Sequence, residues 1–213
     1  PDMLVLTSPI KLEGEDLRTK ASFEVSAGQQ LAFTLTYCPS HLKIPNVAKI
    51  ENATRETATF WSDFVAKCPE VGEWTEQVKR SLITLKALTF MPTGGIVAAA
   101  TTSLPEQLGG TRNWDYRYCW LRDATLTLMA FMKLGYYDEA AAWRNWLLRA
   151  VAGSPHQMQI MYGVAGERNL MEWEATWLEG YRASTPIRIG NAAAEQFQLD
   201  VYGEVADAMT QAM

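Results

Sequence analysis

The chain has 213 residues, of which 48% are hydrophobic and 20% are charged, and its formal net charge is −5. This composition supports a sizeable hydrophobic core and excludes an intrinsically disordered chain. The mild acidity, without a run of Lys or Arg, argues against nucleic acid or an anionic membrane surface as a partner. No stretch approaches the roughly 18 consecutive apolar residues of a membrane-spanning helix, so we predict no membrane segment.

Residues 1–48 predict antiparallel β-structure, because short alternating segments are separated by Gly, Pro and Ser. The predicted strands lie within 3–6, 21–25 and 30–37. Between about residues 50 and 91 the apolar spacing becomes helical, which predicts two helices separated by a break at 69–72.

From about residue 76 onward the pattern predicts mostly helical hairpins. Asp123 is a candidate N-cap for a helix that ends at Gly135, and Asp138 opens a second helix that ends at Gly153. A final helix is predicted from about Ala192 to the chain end.

The most polar aromatic cluster lies at 113–123, where Trp and Tyr alternate with charged residues. An aromatic ring beside Arg and Asp can hold a sugar, because the ring covers its C–H face while the charged groups bind its hydroxyls. The alternative is that Trp120 belongs to the core, Asp123 is only an N-cap and Arg122 is its ion partner.

The three cysteines, Cys38, Cys68 and Cys119, form neither a CxxC pair nor a metal-ligand spacing. We expect reduced thiols and a cytoplasmic location. The sequence contains no GxGxxG, HExxH or P-loop motif and only two histidines, so we predict neither a nucleotide cofactor nor a catalytic metal.

Several blocks of the chain, in order, resemble the bacterial branch of glycoside hydrolase family 15, the family of glucoamylases, glucodextranases and some trehalases. The matching blocks are 92–106, 109–124, 159–163, 180–182, 186–193 and 198–204. A weaker match at the 33–36 strand and the following linker helix extends the resemblance over most of the chain.

The resemblance implies an α+β chain in which an N-terminal β-supersandwich is joined by a linker to an (α/α)6 barrel. We assign 1–48 to the sandwich, 49–75 to a helical linker and 76–213 to the barrel. Twelve helices need roughly 190 to 210 residues, and a two-sheet sandwich about 100. We therefore expect a β-sandwich remnant followed by part of the barrel, in a fragment of a longer enzyme.

The resemblance also implies an inverting hydrolase that releases β-glucose from an α-glucan end or from trehalose. Both catalytic glutamates of the family lie beyond the matched blocks, so we place the general acid and base outside this chain. By the same resemblance, Arg122 and Asp123 bind hydroxyls of the terminal glucose, Trp120 lines that subsite and Tyr116 lies near the water-activating carboxylate. No cofactor is expected.

Three glutamates surround a pair of tryptophans, and we interpret Glu172, Glu174 and Glu179 as solvated surface residues. Two rival functions stay open, which are a non-catalytic carbohydrate-binding module and a helical interaction scaffold. An incomplete barrel exposes apolar faces, so self-association is expected under each reading.

Overall fold

In a computed structural model of the chain, residues 1–45 and 50–211 are described. They form a mixed α+β structure of five α-helices and small two-stranded antiparallel sheets, which confirms the predicted class. The chain divides into two compact units, Pro1–Asp63 and Phe64–Met213. Each unit is described by itself.

The first unit contains two β-ribbons. Strand β1 (Asp2–Thr7) pairs with β4 (Thr34–Pro39), and β2 (Glu13–Glu15) pairs with β3 (Arg18–Lys20). The strand predicted at 3–6 is therefore confirmed, and the strand predicted at 30–37 is confirmed from Thr34 onward. The strand predicted at 21–25 is wrong, because this segment is irregular and exposed. Alternating residues form a strand only when a neighbouring strand binds their backbone groups.

Both predicted helices between residues 50 and 91 are confirmed. Helix α1 spans Ile50–Ala66 and α2 spans Thr75–Ala87. A short 3-10 turn, Gly72–Trp74, follows the predicted break and leads into α2.

The core of the second unit lies around helix α3 (Leu121–Lys133), which packs against α4 (Tyr137–Ala150) and α5 (Asp200–Gln211). Strand β7 (Cys119–Trp120) leads directly into α3 and pairs with β8 (Met161–Tyr162). Large side chains from α3, α4 and β8 are fully buried together: Leu121, Leu128, Phe131, Trp143, Trp146, Leu147, Met161 and Tyr162. The helical spacing of the sequence therefore marks most of the core-facing side of α3 and α4, but Leu126, which shares this spacing, is 58% exposed.

The prediction that Asp123 caps α3 is wrong. The helix begins at Leu121, and its N-cap position, Trp120, makes no side-chain cap hydrogen bond. The Leu121 N–H donates instead to the carbonyl of Ile160 at 3.0 Å, so the residue just before β8 supplies the acceptor that a capping side chain would provide. Asp123 lies in the first turn, where a negative charge suits the helix dipole.

The prediction of a continuous final helix from about Ala192 is also wrong. A 3-10 turn occupies Ala192–Glu195, the chain then extends, and α5 begins only at Asp200. The chain end to which the prediction reached lies outside the described residues. Residues 88–118 and 151–199 are mainly irregular rather than helical hairpins. Besides β8 and short 3-10 turns, their regular parts are the ribbons β5 (Thr89–Phe90) with β6 (Gly95–Ile96), and β9 (Trp173–Glu174) with β10 (Arg188–Ile189).

Within residues 1–45 and 50–211, the strands do not form a two-sheet sandwich, and the helices do not form a closed barrel. No helix in these ranges is long and apolar enough to cross a membrane.

Candidate functional site

A cavity of about 480 Å³ opens in the second unit beside the start of α3. Aromatic rings and polar groups together line it. The lining residues are Trp114, Tyr116, Trp120, Glu172, Asn191, Ala192, Ala193 and Gln196. They come from three separate parts of the chain, so the cavity exists only in the folded unit.

Asp115 fixes the aromatic segment that forms one wall. Its carboxylate is fully buried and accepts a bidentate pair from Arg117, with Nε at 2.9 Å and Nη2 at 2.8 Å. It also accepts from the Tyr118 hydroxyl at 3.3 Å and the Gly190 N–H at 3.2 Å. Asp115 thus ties the segment after residue 113 to the turn that follows β10.

The ion pair keeps Asp115 charged despite its burial. Burial by itself would raise the pKa of the carboxyl, but the hydrogen bonds and charge of Arg117, together with the Gly190 N–H, hold that pKa below its ordinary value. A buried carboxylate with this many donors is a structural anchor.

The turn at Gly190 and Asn191 forms a second part of the cavity wall. Gly190 has φ +85°, and a Cβ there would lie 2.0 Å from the Met171 carbonyl oxygen, so only glycine fits. The Asn191 side chain donates to the Asp115 carbonyl at 2.9 Å and accepts from the Ala193 N–H at 3.0 Å. These contacts hold the cavity wall in place.

Glu172 is the acidic residue of the cavity, and Arg188 holds it. Its Oε1 lies 3.3 Å from Arg188 Nε, and its Oε2 accepts from the Ala192 N–H at 3.2 Å. The interpretation of Glu172 as a solvated surface residue is therefore wrong, since its side chain is only 21% exposed. Glu174, at 54%, and Glu179 are exposed as predicted.

The error comes from the strand pairing of this segment. The chain around 172–174 is extended rather than helical, and residues two apart in an extended chain lie on the same face. Arg188 on the paired strand β10 therefore reaches both carboxylates, with Nη2 3.9 Å from Glu174 Oε1.

The cavity lies in the part of the chain that matches a known protein family. The model of the glycosyl hydrolases family 15 matches residues 72–213, which include every residue that lines it. The chain belongs to glycosyl hydrolase family 15. No solved structure matches it.

The relatives of this family 15 chain include several proteins named trehalase. It is 36% identical to a trehalase of Mycolicibacterium smegmatis over 97% of this chain and 31% of the relative. It is 37% identical to a trehalase of Mycobacterium tuberculosis over 93% of this chain and 29% of the relative. Trehalase 1 of Sulfolobus acidocaldarius is 40% identical over 75% of this chain and 28% of the relative. The chain therefore spans about three tenths of the length of these relatives.

Two of the four predicted substrate-binding residues of the family 15 chain line the cavity. Tyr116 and Trp120 form part of its aromatic wall. Burial raises the pKa of the Tyr116 phenol, so its hydroxyl stays protonated and can donate a hydrogen bond. The Trp120 indole nitrogen is buried away from the solvent, so this residue offers the cavity its ring carbons.

The other two predicted residues, Arg122 and Asp123, do not line the cavity. The Arg122 guanidinium lies 5.9 Å from the centre of the Trp120 ring. Its Nη1 donates to Asp200 at 2.8 Å and to Gln198 at 3.2 Å. Asp123 is 51% exposed, and its Oδ2 is 3.9 Å from Arg122 Nε.

Sequence reasoning did not single out Trp114, Glu172 or Asn191 as residues of the site. Trp114 belongs to the polar aromatic cluster at 113–123, so this cluster already marks it as a candidate sugar-binding residue. Glu172 and Asn191 carry no local signal, because the fold alone brings them to the same cavity as Trp114. Among the described residues, no three His, Cys, Asp or Glu side chains come together as a metal-binding group.

Proposed function

We propose that this chain forms the glucose-binding part of a family 15 enzyme that hydrolyses terminal α-glucosidic bonds. The observation that carries the proposal is the cavity itself, in which three aromatic rings face fixed polar groups. Aromatic faces bind the C–H surface of a pyranose ring, and polar groups at the rim select its hydroxyls.

The relatives named trehalase favour trehalose as the substrate. An α-glucan end is the alternative, because both substrates present the same terminal glucosyl unit. This unit would occupy the cavity in either case, and the leaving group would bind elsewhere.

Within this proposal Tyr116 and Trp120 contact the glucosyl ring, and Arg122 and Asp123 bind its hydroxyls from beside Trp120. Both hydrogen bonds of Arg122 use Nη1. A guanidinium has five N–H donors, so Arg122 keeps donors for a sugar hydroxyl while it is bound to Asp200.

The general acid and base are proposed to lie outside this chain. Inversion requires two carboxyl groups about 6.5 to 9.5 Å apart on opposite sides of the sugar. Of the described residues that line the cavity, Glu172 is the acidic one, so the cavity supplies at most one member of such a pair.

Residues 1–48 are proposed to be a β-sandwich remnant, 49–75 a helical linker and 76–213 part of an (α/α)6 barrel. One face of the β1–β4 ribbon supports the sandwich assignment, because Leu4 opposes Tyr37 and Leu6 opposes Leu35 with all four exposed. A sandwich strand presents such an apolar face to the second sheet. The helical hairpin α3–α4 supports the barrel assignment, since its two helices pack together across a three-residue connection.

The test is a sugar titration of the purified chain alongside an assay for glucose release. We expect trehalose and glucose to change the tryptophan fluorescence saturably, and no glucose to be released from trehalose, maltose or a longer α-glucan. Tyr116→Phe removes the cavity hydroxyl and should weaken binding up to roughly tenfold. Tyr181→Phe is the matched control, because Tyr181 is exposed and does not line the cavity.

Two results would contradict the proposal. Release of β-glucose, observed by NMR, would place the acid and base within these residues. A cooperatively folded chain that binds none of these sugars would show that the cavity is not a glucosyl site.

A further inference from the structure

We propose that Glu172 determines specificity in this cavity by accepting hydrogen bonds from hydroxyl groups of the bound glucosyl unit. This inference rests on the sugar-binding function proposed above. It adds a residue that neither the sequence motifs nor the comparisons assign to the site.

The position of the carboxylate supports this role. Among the described residues lining the cavity, Glu172 is the only one with a charge. It shares the cavity with the rings of Trp114, Tyr116 and Trp120. A sugar stacked against any of these rings would bring its hydroxyl groups within reach of the cavity's polar rim.

The carboxylate is held in place before a ligand arrives. Arg188 Nε and the Ala192 N–H each bind one of its oxygens, at 3.3 Å and 3.2 Å. Arg188 is itself fixed, because its Nη1 donates to the Thr111 carbonyl at 2.7 Å and its guanidinium lies 4.5 Å from the centre of the Trp114 ring. Little side-chain entropy is therefore lost when a hydroxyl binds.

Glu172 also has unused capacity as an acceptor. A carboxylate offers about four lone-pair positions, and the Arg188 and Ala192 contacts occupy one on each oxygen. Hydrogen bonds from neutral hydroxyls to a carboxylate are stronger than those between neutral groups. A sugar that lacks the hydroxyl facing Glu172 would leave the remaining acceptor positions of this carboxylate without a donor, and the site would bind it more weakly.

A purely structural role is the rival explanation, since the same contacts join Arg188 to Ala192, the first residue of a 3-10 turn. The two roles differ in their dependence on the ligand. A hydroxyl acceptor discriminates among deoxy sugars, whereas a structural brace affects every sugar alike.

The experiment compares the purified chain with Glu172→Gln and with Glu174→Gln as the matched control. Glu174 lies two residues away, contacts the same arginine at a longer distance and does not line the cavity. Tryptophan fluorescence titrations measure glucose and its 2-, 3-, 4- and 6-deoxy analogues, and melting curves verify that each variant is folded.

We expect the wild-type chain to bind at least one deoxy analogue roughly tenfold more weakly than glucose. Glu172→Gln should weaken glucose binding by roughly the same factor and should reduce the penalty for that analogue to a few fold. Glu174→Gln should leave both values unchanged.

Three outcomes would overturn the inference. If Glu172→Gln weakens all five sugars equally, or weakens none, Glu172 does not bind a hydroxyl while the proposed sugar site stands. If the wild-type chain binds none of these sugars, both proposals fail together.

Discussion

Replacing Asp115 by asparagine should destabilise the second unit, because this carboxylate joins the aromatic wall of the cavity to the turn after β10. The two oxygens receive hydrogen bonds from Arg117, Tyr118 and the Gly190 N–H. An asparagine keeps one acceptor oxygen and points an NH₂ group at donors on the other side. The arrangement therefore cannot be satisfied by rotating the new side chain.

The expected cost is about 3 kcal/mol. A hydrogen bond to a charged group contributes roughly 1.5 to 3 kcal/mol, and a buried donor left without an acceptor costs about 1 to 3 kcal/mol. The Arg117 side chain is 42% exposed, so water can solvate its guanidinium when the carboxylate is lost. The loss of the Arg117 hydrogen bonds therefore contributes at the low end of this range. For a unit of this size the loss corresponds to a Tm lower by about 6 to 12 °C.

Chemical denaturation followed by tryptophan fluorescence is a suitable assay, because every tryptophan except Trp61 lies in the second unit. The matched control is Glu179→Gln, which removes an exposed carboxylate and should change stability by no more than about 0.5 kcal/mol. An Asp115→Asn variant as stable as this control would refute the reasoning.

The same interaction predicts a pH dependence. The folded pKa of Asp115 is lowered, so its contribution is fully present above the unfolded pKa of about 3.9 and is lost as the pH falls through the folded value. The stability difference between wild type and Asp115→Asn should thus be constant near neutrality and shrink below about pH 4. A difference that stays the same at lower pH would show that the charge is not what stabilises the site.

Gly190→Ala should cost several kcal/mol more than Gly109→Ala in the same denaturation assay. Both glycines have a positive φ, but of the two only a Cβ at 190 would meet backbone atoms, the nearest being the Met171 carbonyl oxygen. Equal costs would mean that backbone strain alone, and not the close approach, requires glycine. Burial raises the pKa of Cys119 to about 12, so its thiol should resist alkylation at pH 8 in the folded chain, as mass spectrometry would show, and rapid labelling would contradict its burial. This raised pKa also means that the thiol's contribution to stability is present below about pH 8.5 and is lost as the pH rises toward 12. Light scattering should show concentration-dependent self-association, and a monomer at high concentration would refute the role of the exposed apolar side chains. These side chains include Leu126, Phe197 and Leu199.

The sequence predicts best those parts of the chain whose structure depends on neighbouring residues. Helix α4 begins and ends close to the predicted residues. Acidic side chains mark its start, and its buried tryptophans follow a helical period. The family resemblance likewise rests on contiguous blocks such as 109–124, and the family model confirms it over 72–213.

The errors occur where the partner is distant in sequence. Asp123 is not the cap of α3, because the carbonyl of Ile160 already binds the first helical N–H. The segment at 21–25 has the alternation of a strand but no neighbouring strand to bind it. Glu172 was assigned to the surface because its contact with Arg188 joins positions 16 residues apart.

The sequence by itself therefore determined the α+β class, the helices around the core, the family and the aromatic segment that carries Tyr116 and Trp120. Tertiary structure alone decided that Glu172 and Asn191 line a cavity together with this segment and that Arg122 binds Asp200. The physical reason is that helical periodicity and motifs are local. A cavity wall, in contrast, is held by hydrogen bonds such as those of Asp115 to Gly190 and Asn191, between residues about 75 positions apart.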